Sequence, residues 1–214
     1  MKPVALLVIT LGVHLCSAAP LVGQGDPTPK KPSGPPNFII IFTDDQGYND
    51  LGCFGSKTIK TPHLDRLASE GRRFTQFYVP CSVCSPSRAA LLTGSYPKRV
   101  GMHRHVLFPQ SDYGLNPAEH TIADQLRSTG YATACIGKWH LGHHPETLPR
   151  QHGFDSYYGI PYSNDMNHPD NKGAASPSSD EGWIDQDKYV KLWNTPLIQN
   201  EKIVELPVNQ RTIT

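Results

Sequence analysis

Apolar positions along this chain fall into short runs, separated by segments in which apolar residues recur at helical spacing. The runs have the length of buried strands, and the segments between them carry helix-capping residues and glycine stops. In chain order the pattern predicts strand 37–43, helix 61–71, strand 73–79, helix 85–94, helix 121–128 and strand 131–136. This alternation is typical of an α/β fold with a mostly parallel central sheet between helices.

The pattern weakens after residue 142. Residues 163–183 are rich in Ser, Asn, Asp and Pro, which predicts a long surface loop. Residues 189–206 alternate between apolar and polar positions around a polar turn at 199–201. That alternation predicts a β-hairpin.

The first 36 residues predict export. Residues 1–19 have the features of a secretory signal peptide, namely a charged start, an apolar centre and small residues before the cleavage site. The apolar centre is too short to span a membrane. Residues 20–36 are rich in Pro, Gly and Lys and predict a flexible leader. We therefore expect a secreted or periplasmic protein, or a lysosomal one in an animal, whose catalytic domain occupies residues 37–214.

The overall composition argues against a nucleic-acid partner and against a disulfide scaffold. The chain has 20 Lys and Arg residues against 19 Asp and Glu, and its net charge is +1. No run of basic residues supports nucleic-acid binding. Its five cysteines, one of them within the signal segment, are too few and too scattered for a disulfide framework.

Three polar clusters follow the three predicted strands. Asp44 and Asp45 come after the first strand, residues 84–88 after the second and residues 138–140 after the third. Ligands of parallel sheets bind beyond the carboxyl ends of the strands. The clusters therefore predict one site at a single edge of the sheet.

Cys84 precedes a predicted helix for which Ser85 is the N-cap, Pro86 the first position and Gly94 the stop. A helix N-terminus favours anions, and Arg88, one turn along, adds a fixed positive charge. This arrangement predicts a site for an oxyanion beside Cys84. The alternatives are an ordinary loop-to-helix junction with a buried cysteine and, because Cys81 lies three residues earlier, a redox pair or half a zinc site.

The other two clusters supply carboxylates, an amine and an imidazole. The oxygens of Asp44 and Asp45 suit Ca²⁺ or Mg²⁺, although a solvated turn is the alternative. Lys138 can neutralise an anion and His140 can move protons near neutral pH, unless they are a surface charge and a packed histidine. The histidines near residues 103–105 and 140–144 match no standard zinc spacing.

The run Cys84-Ser85-Pro86-Ser87-Arg88, with Thr93-Gly94 after it, resembles the sulfatase signature C-x-P-S-R. The segments 44–47 and 137–142 resemble the metal loop and the Lys-x-His segment of the same family. Ser163 resembles a substrate-contacting serine of arylsulfatase A-like members, with an ordinary loop hydroxyl as the alternative. The resemblance extends over residues 37 to about 165.

The resemblance implies an alkaline phosphatase-like fold and the hydrolysis of a sulfate ester. Cys84 would be oxidised by a formylglycine-generating enzyme to formylglycine, whose hydrated aldehyde attacks sulfur and later expels sulfate as the aldehyde re-forms. Asp44, Asp45 and the modified Cys84 would hold Ca²⁺.

The same resemblance implies roles for four further residues. Arg88 and Lys138 would neutralise charge on the aldehyde hydrate and the sulfate. His140 would help to deprotonate the second hydroxyl of the hydrate, and Lys138 and Ser163 would contact the substrate.

The family also has metal ligands and a distal His and Lys in a C-terminal portion that finds no match before Thr214. We therefore expect this chain to be the N-terminal part of a longer sulfatase, with the C-terminal part missing and little activity by itself. A phosphodiesterase or phosphonate hydrolase of the same superfamily, and a non-catalytic fragment that binds an oxyanion, are the alternatives.

Overall fold

The computed structural model describes residues 34–166 and 194–209. The predicted signal peptide, most of the leader, most of the loop 163–183 and the first hairpin strand at 189–193 lie outside these ranges. The chain divides into two compact units, Met1–Thr43 and Asp44–Thr214. Within the described ranges, no helix has the length and apolar character needed to cross a membrane.

In the first unit, residues 34–43 form no strand and are exposed throughout. Ile39 is 85% exposed and Ile41 is 74% exposed, so the strand predicted at 37–43 is wrong for this structure. The strand predicted at 73–79, in the second unit, is wrong for the same reason, because Tyr78 is 76% exposed. A continuous apolar run forms a buried strand only where neighbouring strands and helices cover it, and here both segments face solvent.

Three helices form where the sequence predicts them, in segments whose capping residues lie within a few positions of the helix itself. They are α1 (Pro62–Glu70), α2 (Cys84–Thr93) and α3 (Ile122–Ser128). Short 3₁₀ turns occupy Tyr48–Asp50, Gly52–Phe54, Pro145–Thr147 and Pro149–His152.

The helix ends show which capping predictions hold. Thr121 caps α3 through a reciprocal capping box with Asp124. The N-cap of α2 is Val83, so the helix begins at Cys84 and the prediction of Ser85 as its cap is wrong. Gly94 ends α2 in the left-handed region at φ 62°, as its glycine stop predicts.

Within residues 34–166 and 194–209, the sheet has four strands in the order β1 (Ala134–Lys138), β2 (Ser156–Ile160), β3 (Leu197–Gln199) and β4 (Lys202–Glu205). β1 and β2 are parallel, whereas the β2–β3 and β3–β4 pairs are antiparallel. The α/β class is confirmed, and the described sheet is mixed, with one parallel pair. β2 and β3 were not predicted, and β4 corresponds to the second strand of the predicted hairpin.

One hydrophobic core joins α2 to the sheet. Ala89 of α2, Tyr157 of β2 and Ile198 of β3 belong to it, together with loop residues such as Leu107 and Leu141. Both of these leucines are 0% exposed. Burying a leucine side chain contributes roughly 1.5–3 kcal/mol, so this core fixes the start of α2 relative to the end of β1.

Candidate active site

Lys138, the last residue of β1, lies at the centre of the predicted site. Its Nζ atom forms an ion pair with Oδ2 of Asp44. The same atom lies 3.2 Å from Oγ of Ser163 and 3.5 Å from Sγ of Cys84. One ammonium group therefore connects residues from a strand end, a helix start and two loops.

Arg88, which lies in α2, contacts two residues of the same group. Its Nη1 atom donates a hydrogen bond of 2.6 Å to the backbone oxygen of Lys138. Its Nη2 atom lies 3.3 Å from Oδ2 of Asp44. The side chains of Arg88 and Lys138 are each only 13% exposed. Two largely buried cations therefore lie against the same carboxylate.

The charge of Asp44 follows from these neighbours. Partial burial acts to raise the pKa of its carboxyl group, but the hydrogen bond and charge of Lys138, together with the charge of Arg88, lower it overall. Asp44 is consequently ionised at neutral pH.

Cys84 is the first residue of α2 and is half-buried, and among the described residues neither it nor Cys81 forms a disulfide. The unpaired N–H groups of a helix start attract negative charge, and Lys138 adds a full positive charge at 3.5 Å. The position is therefore electropositive and accessible from solvent.

His140 lies two residues beyond the end of β1 and is 0% exposed. Its Nε2 atom lies 2.8 Å from the backbone oxygen of Leu107, an acceptor, so Nε2 carries the ring proton. Within residues 34–166 and 194–209, the other nitrogen, Nδ1, has no hydrogen-bond partner. Burial lowers the pKa of His140 to about 4, so the ring is neutral at pH 7 and offers a free lone pair.

Leu107 connects this histidine to the start of α2. Its backbone nitrogen donates a 2.9 Å hydrogen bond to Oγ of Ser85, which is fully buried. The neighbouring Tyr162 packs edge-on against the ring of His140, with 5.8 Å between ring centroids. Sequence reasoning passed over Leu107 and Tyr162, and the only signal for the tyrosine is its place beside Ser163.

Asp45 lies outside the group held by Lys138. It is exposed, and its backbone is in the left-handed region at φ 50°, directly after Asp44. The oxygens of these two adjacent carboxylates suit a hard divalent cation. Among the described residues, however, no three His, Cys, Asp or Glu side chains are grouped closely enough to hold a metal ion. The donor chemistry therefore fits Ca²⁺, while the described ligand set covers only part of its needs.

The structure thus brings five of the predicted residues into direct contact: Asp44, Cys84, Arg88, Lys138 and Ser163. His140 is connected to this group indirectly, because it follows Lys138 by two residues and its partner Leu107 is hydrogen-bonded to Ser85, the neighbour of Cys84. The five residues converge although only one of the three predicted strand ends, that of β1, is formed in the described chain.

Comparison with known proteins identifies the class. The sequence model of the sulfatase family matches residues 36–199. Arylsulfatase A of Homo sapiens is 48% identical over 176 residues, which cover 81% of this chain and 34% of that protein. Steryl-sulfatase of Mus musculus is 47% identical over 172 residues, which cover 73% of this chain and 27% of that protein. The chain belongs to the sulfatase family.

Solved structures agree with this assignment. The crystal structure of Ps i-CgsB aligns with a TM-score of 0.59 and 36% identity, covering 75% of this chain and 35% of that one. A Bacteroides thetaiotaomicron protein of glycosaminoglycan metabolism aligns with a TM-score of 0.61 and 33% identity, covering 80% of this chain and 32% of that one. The fold is therefore alkaline phosphatase-like, as the sequence predicts. The chain spans about a third of the length of these relatives.

Proposed function

We propose that this chain carries the nucleophile-bearing part of a sulfatase active site and that the protein hydrolyses a sulfate ester. One observation supports this most strongly. The signature cysteine, Cys84, lies at a helix start within 3.5 Å of the Lys138 ammonium group, which is itself held beside Arg88 and Asp44. A tetrahedral oxyanion beside Cys84 would meet two cations and the N-terminal N–H groups of α2.

Sulfatases are in general dependent on formylglycine and a metal ion, and we propose that a formylglycine-generating enzyme modifies Cys84. When present, the hydrated aldehyde supplies a hydroxyl nucleophile for sulfur and a route for expelling sulfate that a serine ester lacks. The half-buried, electropositive position of Cys84 supports this role, because the modifying enzyme and the substrate both need access to the residue.

Lys138 and Arg88 stabilise the negative charge of the sulfate group. Both are largely buried, so their charges are less screened by water than those of surface residues. Together with the N-terminal N–H groups of α2, the two charges favour a sulfate group beside Cys84. Ser163, within 3.2 Å of Lys138 Nζ, orients that ammonium group and contacts the substrate.

His140 acts as a base through Nδ1. The hydrogen bond to Leu107 fixes the proton on Nε2, and the lowered pKa keeps the ring unprotonated at neutral pH. Such a neutral imidazole can accept a proton from a hydroxyl group at the position of Cys84.

We propose that Asp44 and Asp45 are two of the ligands of a Ca²⁺ ion. The adjacent carboxylates and the ionised state of Asp44 support this assignment. The predicted signal peptide at 1–19 supports export of the protein from the cytoplasm.

The test uses the protein produced from its complete reading frame in a host with a formylglycine-generating enzyme. Hydrolysis of 4-nitrophenyl sulfate is followed for the wild type, Cys84→Ser and, as a matched control, Cys81→Ser. We expect sustained turnover by the wild type and by Cys81→Ser. For Cys84→Ser we expect at most one turnover per enzyme molecule. Sustained turnover by Cys84→Ser overturns the proposal, and so does faster hydrolysis of a phosphodiester or phosphonate than of the sulfate ester.

A further inference from the structure

A second group of positively charged residues lies in the chain segment that follows α2. Between Glu70 and Asp112 the sequence contains six Arg and Lys residues and no acidic residue, although the whole chain is almost neutral. Of the six, Arg88 belongs to the proposed active site, and Arg73 donates to the backbone oxygen of Cys53. Lys98, Arg99 and Arg104 are exposed and, within the described residues, form no ion pair; Arg72 is exposed as well.

Two of these cations, Lys98 and Arg99, line an open cavity, and Arg104 directly follows its lining residue His103 in the chain. The cavity has a volume of about 610 Å³ and is lined by Pro80, Cys81, Tyr96, Pro97, Lys98, Arg99 and His103. Tyr96 is 72% exposed, so its ring is a flat apolar surface in contact with solvent. A flat aromatic ring beside fixed cations is the combination that recognises a sugar ring bearing anionic groups.

The backbone that presents these side chains is fixed. Pro97, Val100 and Met102 are buried, and Met102 N donates a 2.8 Å hydrogen bond to the oxygen of Pro97. Buried anchors that alternate with exposed cations keep the charged side chains on the outer surface. Lys98 and Arg99 are therefore held on the same cavity wall, and no ion pair to either of them is present within the described residues.

The segment also leads back to the proposed site. It leaves α2 at Gly94 and returns at Leu107, whose backbone nitrogen is hydrogen-bonded to Ser85, the neighbour of Cys84. Cys81, three residues before Cys84, lines the cavity. The basic surface and the signature cysteine are thus connected by a short, hydrogen-bonded stretch of chain.

We propose that Tyr96, Lys98, Arg99 and Arg104 form a binding subsite for a polysulfated carbohydrate, so that the substrate carries anionic groups beyond the sulfate that is hydrolysed. The choice of a sulfated carbohydrate among polyanions rests on the proposed function. The three cations bind the additional sulfate groups, and Tyr96 stacks against a sugar ring.

The test measures binding, which needs no turnover. The affinity of the complete protein for fluorescein-labelled dextran sulfate is measured by fluorescence anisotropy at several salt concentrations, with uncharged dextran as the reference polymer. For the triple variant Lys98→Ala, Arg99→Ala, Arg104→Ala we expect about tenfold weaker binding and a shallower dependence on salt, because fewer counterions are released. For Tyr96→Ala we expect weaker binding, and for Tyr96→Phe binding close to that of the wild type.

The matched control removes the same charge elsewhere, through Lys57→Ala, Lys60→Ala and Lys202→Ala, all at exposed positions. Circular dichroism checks that each variant is folded. Equal weakening by the two triple variants overturns the proposal, because it would show a dependence on net charge alone. Tighter binding of duplex DNA than of dextran sulfate also overturns it. If the protein has no sulfatase activity but its binding of dextran sulfate still depends on Lys98, Arg99 and Arg104, the subsite is supported. The proposed function is then refuted instead.

Discussion

The Nη1 atom of Arg88 donates a hydrogen bond of 2.6 Å to the backbone oxygen of Lys138. This bond connects the second turn of α2 to the last residue of β1, and it sets the distance between Cys84 at one element and the Lys138 ammonium group at the other. The guanidinium group therefore has a structural role in addition to its charge, because it joins the two elements that carry the proposed site.

Replacing Arg88 separates these two roles. We expect Arg88→Ala to lower the free energy of unfolding by about 2 kcal/mol, because a hydrogen bond from a charged donor is lost and the carbonyl group of Lys138 loses this partner. Arg88→Lys should recover only part of this, since an ammonium group cannot reproduce the forked geometry that reaches both Lys138 and Asp44. Urea unfolding measures both values.

Arg104→Ala is the control, because Arg104 is exposed and forms no ion pair among the described residues. We expect its unfolding free energy to stay within about 0.5 kcal/mol of the wild type. Equal stability of Arg88→Ala and Arg104→Ala would show that the bond to Lys138 contributes nothing to the fold.

Ser163→Ala tests the contact between Ser163 and the Lys138 ammonium group. Loss of this hydrogen bond frees the ammonium group and removes the proposed contact to the substrate, so we expect KM to rise about fivefold with a smaller change in kcat. Initial rates with 4-nitrophenyl sulfate give both constants. Ser128→Ala, at an exposed position in α3, should change neither, and a KM for Ser163→Ala equal to that of the control would remove Ser163 from the site.

The helices and the site residues could be predicted from the sequence to different degrees. Helices α1 and α3 depend on caps and stops within a few residues, such as Pro62 and Thr121, and both were predicted within a residue or two. Strands depend on partners far away in the sequence, so an apolar run such as 37–43 predicts a strand whether or not its neighbours are present. For the same reason β2 was missed, because its pairing with β1 leaves little local signal.

The site residues were predicted from the types of their side chains and their spacing, and their contacts required the structure. The proximity of Lys138 to Cys84 depends on the hydrogen bond of Arg88, which joins residues 50 positions apart. The burial of His140 and its bond to Leu107 depend on the fold of residues 94–107, a segment without a helix or strand pattern. Long-range contacts of this kind leave no periodic pattern in a single sequence.

Buried histidines should make the stability of the protein sensitive to acid. Burial lowers the pKa values of His140, His143 and His152 to about 4, from an ordinary value of 6.5. The unfolded chain therefore binds more protons than the folded chain between these values. Stability is fully present above about pH 6.5 and is lost as the pH falls toward 4.

His152→Phe tests this account. His152 is fully buried against Trp139, and within the described residues neither of its ring nitrogens has a hydrogen-bond partner. We expect the variant to lose about one third less stability than the wild type between pH 6.5 and pH 4, because one of three titrating rings is gone. Urea unfolding across this range measures it. His63→Phe, at an exposed position, should keep the wild-type dependence on pH, and an identical dependence in both variants would refute the role of His152.

The central claim is that Cys84 is the residue converted to the aldehyde. Trypsin cuts after Arg73 and Arg88, so Cys81 and Cys84 lie in one peptide, and fragment ions have to locate the change. The protein is produced in a host with a formylglycine-generating enzyme, and this peptide is analysed by tandem mass spectrometry. We predict that the fragments place the aldehyde at Cys84 and an unmodified thiol at Cys81. An unmodified Cys84, or an aldehyde at Cys81, would contradict the account.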